Sequence, residues 1–224
     1  MAPDPLLPAL LEAAPSRGFS RDEATLTRLL AWMDGVLEVG QQLNLTAART
    51  REAALDGILL SALAVTAAVD VPPAVVVDLG TGNGLPGVAA ALAWPEARVL
   101  LVERRRKKAD AVRRLLAAQA IPNAEVVVAD GRELARVCPE VRRGVDLVTV
   151  RAVGRLDATT EIAAPWVRTG GRIAHWKGRN LSEEERLDGE RQARRAGLVV
   201  MPLLRFGDRA GPGHLIRYAR KEEG

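Results

Sequence analysis

The chain is written in two hydrophobic periods. In the first 70 residues apolar side chains recur three and four apart, at Leu26, Leu29, Leu30, Met33 and Leu37, the spacing of one helix face. Ser20 with Glu23 three positions on has the form of a capping box and predicts where that helix begins. A second helix is predicted over 52–69, with Ala54, Leu55, Ile58, Leu59, Ala62 and Leu63 on its apolar side. Pro72-Pro73 ends this texture. Beyond it, apolar residues come in short runs at 74–79, 98–102, 125–128, 145–150, 171–176, 198–203 and 214–219, which predict seven strands. Helical segments are predicted at 88–94, 107–119, 133–137, 156–166 and 183–195. Strands alternating with helices indicate a parallel sheet with crossovers. Between the last two strands there is only a loop, 205–213, so these are expected to form an antiparallel hairpin. The predicted fold is α/β: a helical cap, 1–72, in front of a Rossmann-like core with a seven-stranded sheet, 73–224.

Composition narrows the class. The 224 residues are 48% hydrophobic and 27% charged, as in an ordinary globular protein. The longest apolar stretch, 58–69, is interrupted by Ser61 and Thr66 and falls short of the roughly 20 residues that cross a bilayer. A single cysteine, Cys138, can close no internal disulfide, which fits a reducing interior, and a cytoplasmic location is expected. It is expected to be buried and inert. The two histidines, His175 and His214, have no partners at metal-ligand spacing, so no metal site is expected. Of the 32 basic residues 28 are Arg, a side chain that grips phosphate bidentately but also accumulates through genome bias. Aromatic residues are only 3%, too few for a groove built of stacked rings, so any nucleic-acid contact has to rest on charge and shape.

The candidate chemistry begins at the end of the first strand with Asp78-Leu79-Gly80-Thr81-Gly82-Asn83-Gly84-Leu85-Pro86-Gly87. Glycines there let the backbone turn sharply and approach a ligand, and the next helix offers unpaired N–H groups. Gly82, Gly84 and Gly87 satisfy G-x-G-x-x-G, so a dinucleotide has to be considered. Three acids weigh against it. Asp78 would repel a pyrophosphate but attract a cationic head group or sulfonium. Glu103, at the end of the second strand, stands where a ribose-binding carboxylate is expected, and Asp130, at the end of the third, stands within reach of an adenine. Together they fit S-adenosylmethionine better than NAD.

With Asn44-Leu45-Thr46-Ala47 upstream and Val150-Arg151-Ala152-Val153 and Lys177-Gly178 downstream, the glycine string resembles the family of small-subunit (16S) ribosomal RNA guanine-N7 methyltransferases, also called glucose-inhibited division protein B. The resemblance covers nearly the whole chain. It implies a class I S-adenosylmethionine-dependent fold, with cofactor contacts at positions that match Gly80, Leu85, Arg132, Glu133 and Arg151, besides Asp78, Gly82, Glu103 and Asp130 read above. It implies 16S ribosomal RNA, or a small-subunit precursor, as partner, and a monomer is expected. Where the family usually has Arg-His-x-x-Asp-Ser in its second helix, this chain has Asp56-Gly57-Ile58-Leu59-Leu60-Ser61 and keeps only the Ser.

The run Arg104-Arg105-Arg106-Lys107-Lys108 opens the helix after the second strand, where cations oppose the helix dipole. Either the run is a solvated charged face with Glu103 and Asp110 as partners, or Arg105, Arg106, Lys107 and Lys108 are RNA contacts, the reading the resemblance favours, with Lys177 at the end of the fifth strand. Guanine N7 carries a lone pair and no proton, so its methylation requires no general base. Arg151 and Lys177 are expected to act by positioning, the first toward cofactor or base, the second toward RNA.

Overall fold

A computed structural model describes residues 4–208 and 211–221. The helical cap consists of α1 (Leu7–Ala13), α2 (Glu23–Leu43) and an irregular third helix, which begins as α3 (Arg51–Ala54), passes through a π turn (Leu55–Leu59) into α4 (Leu60–Ala62), and closes in a 3-10 turn (Leu63–Ala68). The cap of α2 is Asp22, whose carboxylate accepts the Thr25 N–H at 2.8 Å, while the Ser20 hydroxyl accepts the N–H of Asp22. The start therefore lies two residues beyond the predicted Ser20 box. A charged acceptor complements the helix dipole better than a hydroxyl.

After Pro73 come β1 (Val75–Leu79), α5 (Gly87–Ala93), β2 (Arg98–Val102), α6 (Arg106–Ala118), β3 (Ala124–Val127), α7 (Leu134–Val137), β4 (Val145–Arg151), α8 (Leu156–Ala163), β5 (Val167–Lys177), α9 (Glu183–Arg195), β6 (Leu198–Val200), β7 (Leu204–Asp208) and β8 (Gly211–Arg220). The sheet order is β3-β2-β1-β4-β5-β8-β6, with β7 also on β8. β1 to β5 run parallel, and β8 is antiparallel to β5, β6 and β7. There are eight strands among the described residues, not seven. Of the run predicted at 198–203 only Leu198–Val200 is strand, β6; the chain leaves the ladder around Pro202, which has no N–H to give it, and a further strand, β7, begins at Leu204. The predicted loop at 205–213 is largely strand, and its residues 209 and 210 lie outside the described residues.

Alternation along the strands divides the core. Val76, Val99 and Leu101 face the cap helices, α5 and α6 in one continuous apolar cluster, and Val77, Leu100 and Val102 face the opposite layer with Leu134 and Leu156. Trp32 and Trp176 are buried in the first cluster and Trp166 in the second. His175 is 1% exposed between the Thr159 and Thr160 hydroxyls, edge-on to Tyr218, and burial pushes its pKa down to about 3, so it is a neutral core residue. Cys138 is half-buried, with its thiol pushed up mainly by burial. No helix among the described residues is long and apolar enough to cross a membrane.

Candidate functional site

Parallel strands end together, so the loops after β1, β2, β3 and β4 meet at one edge of the sheet. The loop after β1 turns through Gly80, Gly82 and Gly84 at φ of 68°, 55° and 89°, left-handed backbone that glycine adopts without strain. Beneath it lies Asp78. Its carboxylate accepts the Thr81 hydroxyl at 2.6 Å, the Thr149 hydroxyl at 2.6 Å and the Gly87 N–H at 3.2 Å. Burial pushes its carboxyl up to about 6, against the pull of these hydrogen bonds and of the Arg151 charge. Asp78 was expected to face a cationic head group, but it is enclosed, and its acceptor capacity goes to holding the turn.

Beside the loop lies a cavity of about 880 Å³, within the roughly 300–1,000 Å³ common for small-molecule sites. Gly80, Gly82, Leu85, Glu103, Asp130, Arg132 and Arg151 border it; Asp78 does not. Glu103 is 7% exposed and accepts the Arg105 N–H at 2.8 Å through one oxygen. Asp130 accepts the Arg132 N–H at 2.9 Å and so starts the short turn after β3. Glu133 does not border the cavity; its carboxylate is exposed and faces Arg136 at 3.5 Å. A ligand has room at the loop: a Cβ built on Gly82 would have only the Gly80 carbonyl within 4 Å. At Gly80 a Cβ would stand 2.6 Å from Val153, so the β4 loop closes tightly behind the glycine. Carboxylates at two strand ends and a glycine loop around one cavity fit the ribose, base and amino-acid parts of S-adenosylmethionine.

The opposite wall comes from the cap. Asn44 ends α2 in the left-handed conformation, φ 50°, and carries Leu45, Thr46, Ala47 and Ala48 to the cavity's rim. Lys108 borders the same cavity and donates from Nζ to the Asn44 carbonyl at 2.7 Å. Arg151 donates to the carbonyls of Gly57, 2.7 Å, and Ile58, 3.1 Å, inside the π turn. Its guanidinium therefore ties the cap to the end of β4. Arg104 to Lys107 are exposed at the start of α6, where Arg105 caps without a side-chain hydrogen bond. Lys177 corrects the expectation: Nζ donates to Glu185 at 2.6 Å and to the Gly154 carbonyl at 2.7 Å, and it does not border the cavity. A half-buried ammonium with both partners supplied by its own chain is not offered to RNA. Among the described residues no three His, Cys, Asp or Glu side chains come together as a metal site.

A family model for rRNA small subunit methyltransferase G matches residues 25–205. The chain belongs to this family. Among its relatives, ribosomal RNA small subunit methyltransferase G of Chloroflexus aggregans is 31% identical over 78% of this chain and 73% of that protein, and the enzyme of the same name from Caldanaerobacter subterraneus subsp. tengcongensis is 30% identical with the same coverage. Solved structures show the class I methyltransferase fold. An O-methyltransferase from Bacillus cereus in complex with SAH superposes with a TM-score of 0.62 at 20% identity, covering 85% of this chain and 91% of that one. A 16S rRNA (adenine(1408)-N(1))-methyltransferase from Catenulisporales acidiphilia gives 0.54 at 18% identity, covering 70% and 88%.

The Asn44-Leu45-Thr46-Ala47 string carried the resemblance without a role; the structure puts its last three residues on the cavity rim. Thr81, Thr149 and Gly57 were not singled out as site residues. For Thr149 the signal was weak, a lone hydroxyl inside an apolar strand, yet its partner is the buried Asp78.

Proposed function

We propose that this family member transfers a methyl group from S-adenosylmethionine to N7 of a guanine in 16S ribosomal RNA, free or in a small-subunit precursor, by direct in-line displacement. That it is an S-adenosylmethionine-dependent methyltransferase of small-subunit ribosomal RNA rests on the family. The atom methylated and the residue roles are our reading. The choice of N7 follows the family resemblance; the observation that carries the residue roles is one cavity between the glycine loop, Glu103 and Asp130 on one side and the cap on the other, rimmed by the basic start of α6.

When bound, S-adenosylmethionine supplies the electrophilic methyl group. Gly80, Gly82 and Leu85 would hold its amino-acid end, Glu103 would accept from the ribose hydroxyls, and Asp130 and Arg132 would flank the adenine. Arg105, Arg106, Lys107 and Lys108 draw in the RNA backbone, an attraction that weakens with salt as counterions compete. Arg151 positions the cap wall through Gly57 and Ile58 and adds positive charge near the base. We read residues 1–72 as a cap and 73–224 as the core, with the guanine entering the cavity between them. Catalysis then consists of alignment, since N7 has no proton to remove and needs neither base nor metal. The protein is proposed to work as a monomer in the cytoplasm.

The test is transfer of labelled methyl groups from S-adenosylmethionine to small-subunit RNA, naked and assembled, followed by nucleoside analysis. Label in 7-methylguanosine is expected. Label on adenine or ribose, or none on either substrate, would overturn the proposal.

A further inference from the structure

The glycine loop is fixed from three directions, and one of them lies outside the core. Asp78 holds it from below through Thr81 and Gly87. Within it the Asn83 side chain accepts the Leu85 N–H at 3.0 Å, and Gly84 N–H returns to the Thr81 carbonyl at 2.9 Å. From above comes Trp32 of α2, fully buried, whose indole Nε1–H donates to the Asn83 carbonyl at 2.9 Å. The ring lies so close to the backbone that a Cβ on Gly84 would stand 2.4 Å from Cζ2. Gly84 thus makes room for the indole as well as for the turn, at φ 89°.

A loop with glycines at 80, 82 and 84 has much conformational freedom to lose, and a ligand that must order it binds more weakly for that reason. We propose that Trp32 is a positioning residue for the cofactor: through its ring on Gly84 and its hydrogen bond to Asn83, the cap keeps the loop in its binding conformation before the cofactor arrives. The cap would then serve the cofactor as well as the RNA. This rests on the reading of the loop as the S-adenosylmethionine site.

The fold supplies a matched control. Trp176 is also buried, and its Nε1–H also donates to a cap carbonyl, that of Ser61 at 2.8 Å, but neither partner belongs to the glycine loop. Trp32→Phe and Trp176→Phe each remove one indole hydrogen bond between cap and core. Calorimetric titration with S-adenosylmethionine should show affinity about tenfold weaker in Trp32→Phe and unchanged in Trp176→Phe. KM for the cofactor should rise in parallel while kcat stays within twofold of wild type. Equal affinities in both variants and wild type, or equal losses in both variants, would overturn the proposal. Should Trp32→Phe not fold, hydrogen exchange on the wild type decides: S-adenosylhomocysteine should protect residues 29–36 together with loop 80–87, and protection confined to the loop would refute the coupling. If the wild type itself binds neither compound, the cofactor reading fails first and this proposal with it.

Discussion

Two lysines at the sheet's working edge meet different fates. Lys108, beyond β2, reaches a backbone carbonyl of the cap and borders the cavity. Lys177, ending β5, is only 19% exposed and locked between Glu185 and the Gly154 carbonyl. The same contrast holds for the two halves of the sheet. Around β1 to β4 Glu103 and Asp130 border the cavity together with Arg104 and Arg105, and Arg106 and Lys107 stand exposed next to them. Around β5 and α9 the charges are paired within the chain, as in Lys177 with Glu185 and Arg155 with Asp188. What separates the two edges is therefore whether the charges line the open cavity or are closed into ion pairs away from it, since the residue types are the same.

The comparison breaks most readily at the glycine loop. Gly82→Val places a branched side chain at φ 55° and into the space left for the ligand, and affinity for S-adenosylmethionine should fall more than a hundredfold with the circular dichroism spectrum retained. Unchanged affinity would move the site elsewhere.

Asp78 gives a pH signature. Its carboxyl ionises at about 6 against an ordinary 3.8, so the folded state keeps a proton that the unfolded chain has lost between those values. The stability it contributes is full below about pH 4 and is lost as pH rises through 6, a change of about 3 kcal/mol. Urea unfolding at several pH values should show wild type losing that amount relative to Asp78→Asn between pH 4 and 7. A constant difference would mean that the hydroxyl hydrogen bonds outweigh burial.

The two lysines can be set against each other directly. Lys177→Gln should cost about 2 kcal/mol of stability by leaving Glu185 unpaired, with no change in the salt dependence of RNA binding. The double change Lys107→Glu, Lys108→Glu should weaken RNA binding and reduce the log–log salt slope by roughly 0.7 to 0.9 for each phosphate that is no longer neutralised. If the slope follows Lys177 instead, the assignment of the edges is reversed. The smallest effect is expected at Gly57, where a Cβ would meet nothing within 4 Å: Gly57→Ala should stabilise the cap helix by up to about 1 kcal/mol, read by urea unfolding.

Much of this was legible in residue order. The strand at 98–102 and the helix at 183–195 stand where periodicity put them, because local pattern alone carries that information. The strand β7, where a loop was expected, was not, since β6 and β7 exist only by pairing with different ends of β8. The π turn at Leu55–Leu59 was equally hidden: helical spacing does not record a one-residue change of hydrogen-bond register, and the carbonyls it presents are taken by a guanidinium 93 and 94 positions away. Candidate site residues followed the same rule. Gly80, Gly82, Glu103 and Asp130 lie at strand ends, and their place at the cavity follows from the fold class.

By itself the sequence determined the α/β class and the placing of glycines and acids at the ends of β1, β2 and β3, since these depend on period and on residue type at strand ends. Only the tertiary structure decided what each charged group faces: Asp78 inward to the turn, Glu133 toward Arg136, Lys177 toward Glu185, Arg151 toward the cap, and Trp32 onto the loop. The reason is that a side chain's electrostatic role is set by the partners within about 3 Å of it, and those partners come from elements far away in the chain.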